Sequence, residues 1–196
     1  DIRKSYLTNT PTCWQRAFGQ VKQAQSHLAK NEVGPGDIFL FFGWFKHAKR
    51  INGKFRFIED NRYPNGFHAI YAYMQVDKIF HPNKEDVPEW LHYHPHYEHR
   101  KSVYFKDNNT IYTAKELIEY PKDPFNKNGS INFVFDEKLI LTKPNAKSKS
   151  IWKLPFELSP DNGVSLTYHN NPNRWNFNEG KVTLQSTARG QEFIFK

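Results

Sequence analysis

Residues able to carry acid–base or hydrogen-bonding chemistry gather in four stretches of this 196-residue chain. Asp37 closes the turn Gly34-Pro35-Gly36-Asp37 just before a run of apolar residues. A carboxylate there can stabilise an oxocarbenium-like sugar or activate water, and equally it can cap its own turn. Gln20, Gln25 and His27 fall within a segment of helical periodicity, with Gln25 inside the apolar face and His27 placed as an acid or base. A buried amide needs a partner, so Gln25 meets either a backbone carbonyl or a ligand. His92, His94, His96 and His99 crowd one loop, where Pro95 breaks the alternation that a metal site on a strand requires. His94 and His96 are read as a ligand-binding or catalytic pair, with base-binding the assigned role, and no metal is expected. Near the end, Arg189-Gly190-Gln191-Glu192 offers an amide and a carboxylate suited to the edge of a flipped base, or an ordinary hairpin turn.

The phosphate-binding candidates come from charge. Lys and Arg exceed Asp and Glu by 28 − 20 = 8, with a pI near 9.4. That balance favours a polyanionic partner, nucleic acid before an anionic membrane surface. The stretch Gly34–Phe45, GPGDIFLFFGWF, reads as a central strand buried on both faces. Trp44 and Phe45 then run directly into Lys46, His47, Lys49 and Arg50. Aromatics abutting cations suit a surface that stacks bases and grips a backbone. Lys54–Ile58 alternates basic and apolar residues, a half-buried strand with Arg56 on its basic face. Trp44 is the stacking candidate, and Lys46, Lys49, Arg50, Arg56 and Arg189 are the phosphate contacts.

The elements that must position these groups follow from periodicity. Residues 12–30 read as the one substantial helix, with Thr12 and Gln15 as a capping box and Trp14, Ala17, Phe18, Val21, Ala24 and Leu28 on one face. Residues 67–80 read as a second long strand, residues 85–91 as a short helical turn. Short strands are expected at 103–105, 110–113, 131–135, 139–141, 164–168, 182–185 and 192–195, with a bend over 151–158. The expected fold is α+β: a mainly antiparallel, barrel-like sheet with one N-terminal helix, in a single domain over residues 1–196. Cys13 excludes an intrachain disulfide, being the only cysteine. No window approaches the roughly 18 apolar residues of a membrane span. The chain opens at Asp1 without an initiator Met or a signal peptide, as if cut from something longer. Walker-type, GxGxxG, HExxH, CxxC and GxSxG patterns are absent, which argues against P-loop, Rossmann and common hydrolase chemistry. No cofactor is expected.

AFGQ (Ala17–Gln20), AQSHL (Ala24–Leu28), GPGDIFLFFGWF, AIYAYMQVDKI (Ala69–Ile79), HPH (His94–His96), SIWKLP (Ser150–Pro155) and RGQEF (Arg189–Phe193) together resemble a bacterial and phage family. That family is the nucleotide-modification-associated domain, third type. The resemblance implies a cytoplasmic protein from gene neighbourhoods that make or restrict hypermodified DNA bases. Members usually begin with an upstream segment rich in Asp, Ser, Gly and Pro, so the resemblance places that segment elsewhere, on a separate chain for instance. A looser likeness links the Gly-Asp turn and two long strands to PUA-like modules that hold a flipped, modified base.

Three functions stay open at this stage. One is a base-processing enzyme such as an N-glycosylase on modified DNA, used in phage defence or base hypermodification, with Asp37 or Glu192 as carboxylate and His27 as acid or base. Another is a non-catalytic reader using the same Gln20, Gln25, Gln191 and Trp44 contacts. The third is a protein-interaction module built on the aromatic patch. The first leads because glycosidic cleavage needs only a carboxylate and a water.

Overall fold

The computed structural model describes residues 13–119, 128–162, 166–169, 171–178, 181–187 and 192–195. The fold is α+β, with mainly antiparallel sheet curled as half a barrel and, among the described residues, a single helix longer than two turns. The chain divides into two compact units, Asp1–Asp37 with Met74–Ser130 and Ile38–Tyr73 with Ile131–Lys196. Strand β5 (Phe67–Phe80) contributes residues to both. No described helix is long and apolar enough to cross a membrane.

In the first unit, β1 (Ala17–Gln20) pairs antiparallel with β6 (Thr110–Ala114), and β6 pairs with the end of β5 from Val76 to Phe80. The β5 register slips between Val76 and Ile79, a bulge of the kind that bends a strand and sharpens its twist. Val87, Leu91 and Ile111 form the core, with Ala17, Phe80, Trp90 and Tyr97 packed around them. Helix α1 (Lys22–Lys30) buries Leu28 and Gln25.

The expected helix over 12–30 is therefore shorter, because residues 17–20 are strand. Trp14, Ala17, Phe18 and Val21 have helical spacing, but so short a run satisfies its backbone groups equally well by pairing with β6. Gly19 is used for closeness rather than helix: a Cβ there would collide with the His96 ring. Lys22 then makes the break with a left-handed φ of +55°. Asn108 holds that residue in place. Its Oδ1 accepts the Lys22 N–H at 2.7 Å, while its Nδ2 donates to Lys22 O and Ser26 Oγ. The N-terminal amide of α1 is thus capped by a side chain remote in sequence, and the capping box falls outside it.

In the second unit, β2 (Ile38–Phe45) is flanked by β5 and by β11 (Glu192–Phe195), with Glu192 opposite Phe41. It is central, but only Phe39 and Phe42 are fully buried along it. A separate three-stranded sheet places β10 (Lys181–Gln185) between β8 (Ile151–Leu154) and β9 (Trp175–Asn178). Phe42, Trp152, Leu154, Leu166, Trp175, Val182 and Leu184 make the main core. The bend expected over 151–158 is instead a strand followed by a 3-10 turn at Phe156–Leu158.

The expected strands at 103–105 and 139–141 are corrected too. Val103–Phe105 is a 3-10 turn: Phe105 packs edge-on against His96, while Val103 and Tyr104 stay exposed, Tyr104 meeting Phe105 and the Lys22 ammonium. Glu137–Leu139 is a 3-10 turn started by Asp136 Oδ1, which accepts the Lys138 N–H, and sheet contact resumes only as a bridge between Ile140 and Ala69. The segment from Leu166 to Tyr168 is a turn.

Residues between β2 and β5 form a free-standing hairpin, β3 (Ala48–Ile51) and β4 (Lys54–Phe57). Asn52 and Gly53 take φ of +50° and +76°, a two-residue loop of the mirror-image type that matches strand twist. All eight residues of the two strands are exposed, so the half-buried strand expected at 54–58 is corrected to a solvent-facing ribbon.

His68 locks the second core. Trp152 Nε1 donates to His68 Nδ1 at 3.0 Å, and the His68 ring lies edge-on to Phe42 and Trp152. Burial, then the nearby Lys149, lowers its pKa to about 4. Because the folded pKa lies below the ordinary value of 6.5, the unfolded chain binds the extra proton first. Stability is complete above pH 6.5 and drains as pH falls towards 4. The unfolding free energy from urea titration is expected to fall between pH 7 and pH 5, by roughly 2 kcal/mol from this residue. His68→Gln should be less stable at pH 7 and show a flatter profile; a variant with the wild-type slope would remove His68 as the cause.

Candidate nucleic-acid interface

The second unit holds an aromatic cavity of about 310 Å³ between the end of β2, the start of β5 and the segment 133–139. Its walls are Phe45, Phe67, Tyr71, Phe133 and Phe135, with Ala69, Ile70 and Leu139 filling the gaps. The rings hold one another by tilted and edge contacts. Phe67 is 6.3 Å from Phe45, 6.0 Å from Phe135 and 5.0 Å from His47, and Phe45 meets Tyr71 edge-on at 6.2 Å. These arrangements follow the ring quadrupole. Phe133 joins the wall because its backbone N–H donates to Tyr71 O. Three polar groups reach the lining: Lys46, His47 and Tyr71. Burial, followed by Glu192, raises the Tyr71 pKa, so its hydroxyl stays protonated.

His47 has a carboxylate behind it. Its Nε2 lies 3.2 Å from Asp60 Oδ2, and Asp60 Oδ1 accepts the Arg62 backbone N–H at 2.8 Å. Arg62 also forks onto both oxygens of Glu137 at 2.9 and 3.1 Å. That pairing holds the Arg62 pKa above and the Glu137 pKa below their ordinary values. Asp60 is therefore fixed within ion-pair distance of His47 at the cavity wall, although the angle between them leaves His47 Nε2 without a hydrogen bond. The pair was not among the residues picked out by sequence, although His47 stood in the quoted basic cluster; Asp60 lies thirteen residues on with no motif linking them.

The cavity opens onto the ribbon through Ala48, the first residue of β3. From Ile38 to Ile58 the chain carries five Lys or Arg and no Asp or Glu. Lys49, Arg50 and Arg56 are exposed; Lys46 is half-buried with its Nζ 5.7 Å from the Phe57 ring. Trp44 lies beside this run. It is 49% exposed, donates from Nε1 to Asn65 O, and carries Lys149 Nζ 4.9 Å over its ring. Gly66 permits that pose, since at φ +74° a Cβ would strike the indole.

A match to the family model described as nucleotide modification associated domain 3 spans residues 6–196. The chain belongs to this family. No curated protein and no solved structure matches it. Membership relates this nucleotide-modification-associated domain to the modification of nucleic-acid bases, and its match covers both units.

The remaining residues singled out by sequence divide between the units. Gln191 and Arg189 lie outside the described residues. Glu192, on β11 of the second unit, is 2% exposed. In the first unit, Asp37 Oδ2 accepts the Gly34 N–H at 2.9 Å and so caps its own turn. The Gln25 carbonyl accepts the Tyr112 hydroxyl at 3.0 Å, tying α1 to β6. His27 sits one turn from Asn31, its Nε2 3.3 Å from Asn31 Nδ2, with its pKa lowered by burial and then by Lys30. Gln20 ends β1, half-buried opposite Thr110.

His94 and His96 do come together, with ring centroids 5.2 Å apart. His94 precedes the short helix α2 (Pro95–Glu98), and its Nδ1 accepts the His96 N–H at 3.2 Å. When neutral, its proton is therefore on Nε2. His96 is set the opposite way. Asn109 Nδ2 donates to Asn83 Oδ1 and His96 O, which turns Asn109 Oδ1 towards His96 Nδ1 at 2.7 Å. That carbonyl can only accept, so His96 carries its proton on Nδ1 and leaves Nε2 a lone pair. Burial, then His96, lowers His94 to about 4, and burial lowers His96 against the upward pull of Asn109. Both rings are neutral at pH 7, one offering a donor and the other an acceptor. Among the described residues no three His, Cys, Asp or Glu side chains gather as metal ligands.

Nitrogen chemical shifts at pH 7 should assign the Nε2–H tautomer to His94 and the Nδ1–H tautomer to His96. Asn109→Ala should release His96 into a tautomer mixture and cost about 1–3 kcal/mol through the orphaned Asn83 and His96 groups. An unchanged His96 spectrum in that variant would overturn the assignment.

Proposed function

We propose that this domain recognises a modified base in DNA, seating the extruded base in the cavity walled by Phe45, Phe67, Tyr71, Phe133 and Phe135. The observation that carries this reading is continuity: an aromatic cavity of about 310 Å³ opens directly onto an acid-free run that carries five Lys or Arg. Aromatic faces bind any base by stacking, at roughly 1–3 kcal/mol each, while cations hold the backbone independently of sequence. The volume lies at the small end of ligand pockets, matching a single substituted ring rather than a dinucleotide. Lys46, His47 and the Tyr71 hydroxyl supply the few polar contacts that distinguish one base from another. Extrusion costs least for a base already destabilised in its pair, which favours modified or mismatched positions.

A second reading, N-glycosidic hydrolysis, draws on the His47–Asp60 pair at the cavity wall. His47 would take a proton from water as its oxygen bonds to C1′, the C1′–N bond would break with its electron pair going to the base, and the imidazolium would return that proton to the departing base. Asp60 would stabilise the imidazolium.

Binding to oligonucleotides carrying 5-substituted pyrimidines, compared with unmodified ones, tests both. Phe135→Ala should cut the preference for the modified base roughly tenfold. Lys49→Gln with Arg56→Gln should weaken all DNA and reduce the log–log salt slope by about 2. Equal binding of modified and unmodified DNA by the wild type would overturn the recognition reading. Abasic sites formed by the wild type and lost in His47→Ala would establish hydrolysis; intact DNA with both proteins would leave a reader.

A further inference from the structure

We infer that the β3–β4 ribbon is a wedge that enters duplex DNA, its phenylalanines replacing the stacking of the base that the cavity takes. This rests on the base-recognition reading and adds the partner's form: a double strand, opened by this chain.

Register sorts the ribbon into two unlike faces. Ala48 opposes Phe57, Lys49 opposes Arg56, Arg50 opposes Phe55 and Ile51 opposes Lys54. Opposed residues project to the same side and neighbours alternate. One face is Ala48, Arg50, Phe55 and Phe57; the other is Lys49, Ile51, Lys54 and Arg56. The first is aromatic with one guanidinium, whose Nε is turned back to Gly53 O at 3.3 Å. The second is three cations around one aliphatic residue.

Phe55 and Phe57 are 79% and 69% exposed, with no ring contact between them. Leaving two phenylalanines in water on a hairpin forfeits the burial that such side chains normally provide, so a partner that covers them is required. The charge on the reverse face says which kind. Three cations with no acid among them complement a polyanion, and the ribbon has no acidic residue from end to end.

Spacing favours a base stack. Residues two apart on a strand are separated by about 6.6–6.8 Å, twice the roughly 3.4 Å rise per base along a strand. Rings so spaced match alternate levels of a stack, so one of the two can enter the gap that a single extruded base leaves. A two-stranded ribbon fits the roughly 12 Å major groove, and apolar wedges between base steps are an established way to hold a duplex open. Ala48 ties wedge to cavity: it lies on the aromatic face opposite Phe57 and lines the cavity wall.

The test uses a short duplex with one 2-aminopurine beside a mismatched pyrimidine, the same strand alone, and vesicles of phosphatidylserine and phosphatidylcholine. Wild type should bind the duplex at least as tightly as the strand and raise 2-aminopurine fluorescence as the stack opens. Phe55→Ala with Phe57→Ala, folded by circular dichroism, should keep single-strand binding within about threefold and lose most of the fluorescence rise. The same rise in that double variant overturns the wedge. Vesicle binding that vanishes in the double variant, with DNA binding and fluorescence unchanged, assigns the aromatic face to a membrane and also overturns it. Phe135→Ala separates the two readings: a wild-type fluorescence rise with modified-base preference unaltered would sink the cavity and leave the wedge, whereas loss of preference alone supports both.

Discussion

Phe67 is the fixed point around which the second unit is arranged. Its ring is 2% exposed and meets four others: His47 at 5.0 Å, Tyr63 at 5.3 Å, Phe135 at 6.0 Å and Phe45 at 6.3 Å. Those rings come from the end of β2, the loop before β5 and the segment after β7 (Ser130–Asn132). A buried phenylalanine contributes roughly 1.5–3 kcal/mol, and each well-placed ring pair about 0.5–1.5 kcal/mol more. The same contacts that stabilise the unit therefore also set the cavity wall. Shape at the candidate site does not need a separate loop to be ordered first, because removing the core residue would remove the site.

How much of this was legible depends on the range of the interaction. The bounds of β5 coincide with the expected 67–80, since fourteen residues of strand-forming side chains between turn signals admit little else. Asn52-Gly53 is an equally plain turn signal in the sequence, because only a few residue pairs accept positive φ twice in succession. Trp44, Phe45, Lys49 and Arg50 all stay exposed after folding, but the register of the ribbon turns Lys49 and Arg50 to opposite faces. The N-terminal helix misled for the opposite reason. Trp14 to Val21 fits either period over so few residues, and the choice was made by β6, about ninety residues away.

The acid–base groups were the least legible. His47 and Asp60 are joined by a hairpin whose closure brings them within 3.2 Å, and nothing in their spacing declares it. The His94–His96 loop shows the finer limit. Residue types gave two imidazoles, but their opposed tautomers come from a backbone N–H and from Asn109, whose own amide is turned by Asn83. A hydrogen-bond chain of that kind is a property of geometry, and it converts two identical side chains into a donor and an acceptor.

Apart from the buried Glu192, the described Asp, Glu, Lys and Arg side chains stay out of the interior, and that separation bears on how affinity and selectivity divide. His68, His94 and His169 are buried and His96 is half-buried, all with lowered pKa, so each enters the fold neutral. His169 does so with Ser186, whose hydroxyl lies 3.0 Å from its Nε2, both of them buried. The cations meanwhile sit at the surface, five of them between Ile38 and Ile58. Exposed cations act over a Debye length of about 8–10 Å and are weakened by salt; ring contacts act only on touching and are not. A ligand held by both would have its encounter governed by the ribbon and its identity judged in the cavity. Salt should then change how tightly every nucleic acid binds while leaving the ratio between bases nearly constant. That ratio would be set by the neutral aromatic faces and the Tyr71 hydroxyl, with Lys46 and His47 at the same wall contributing the part that salt can still alter.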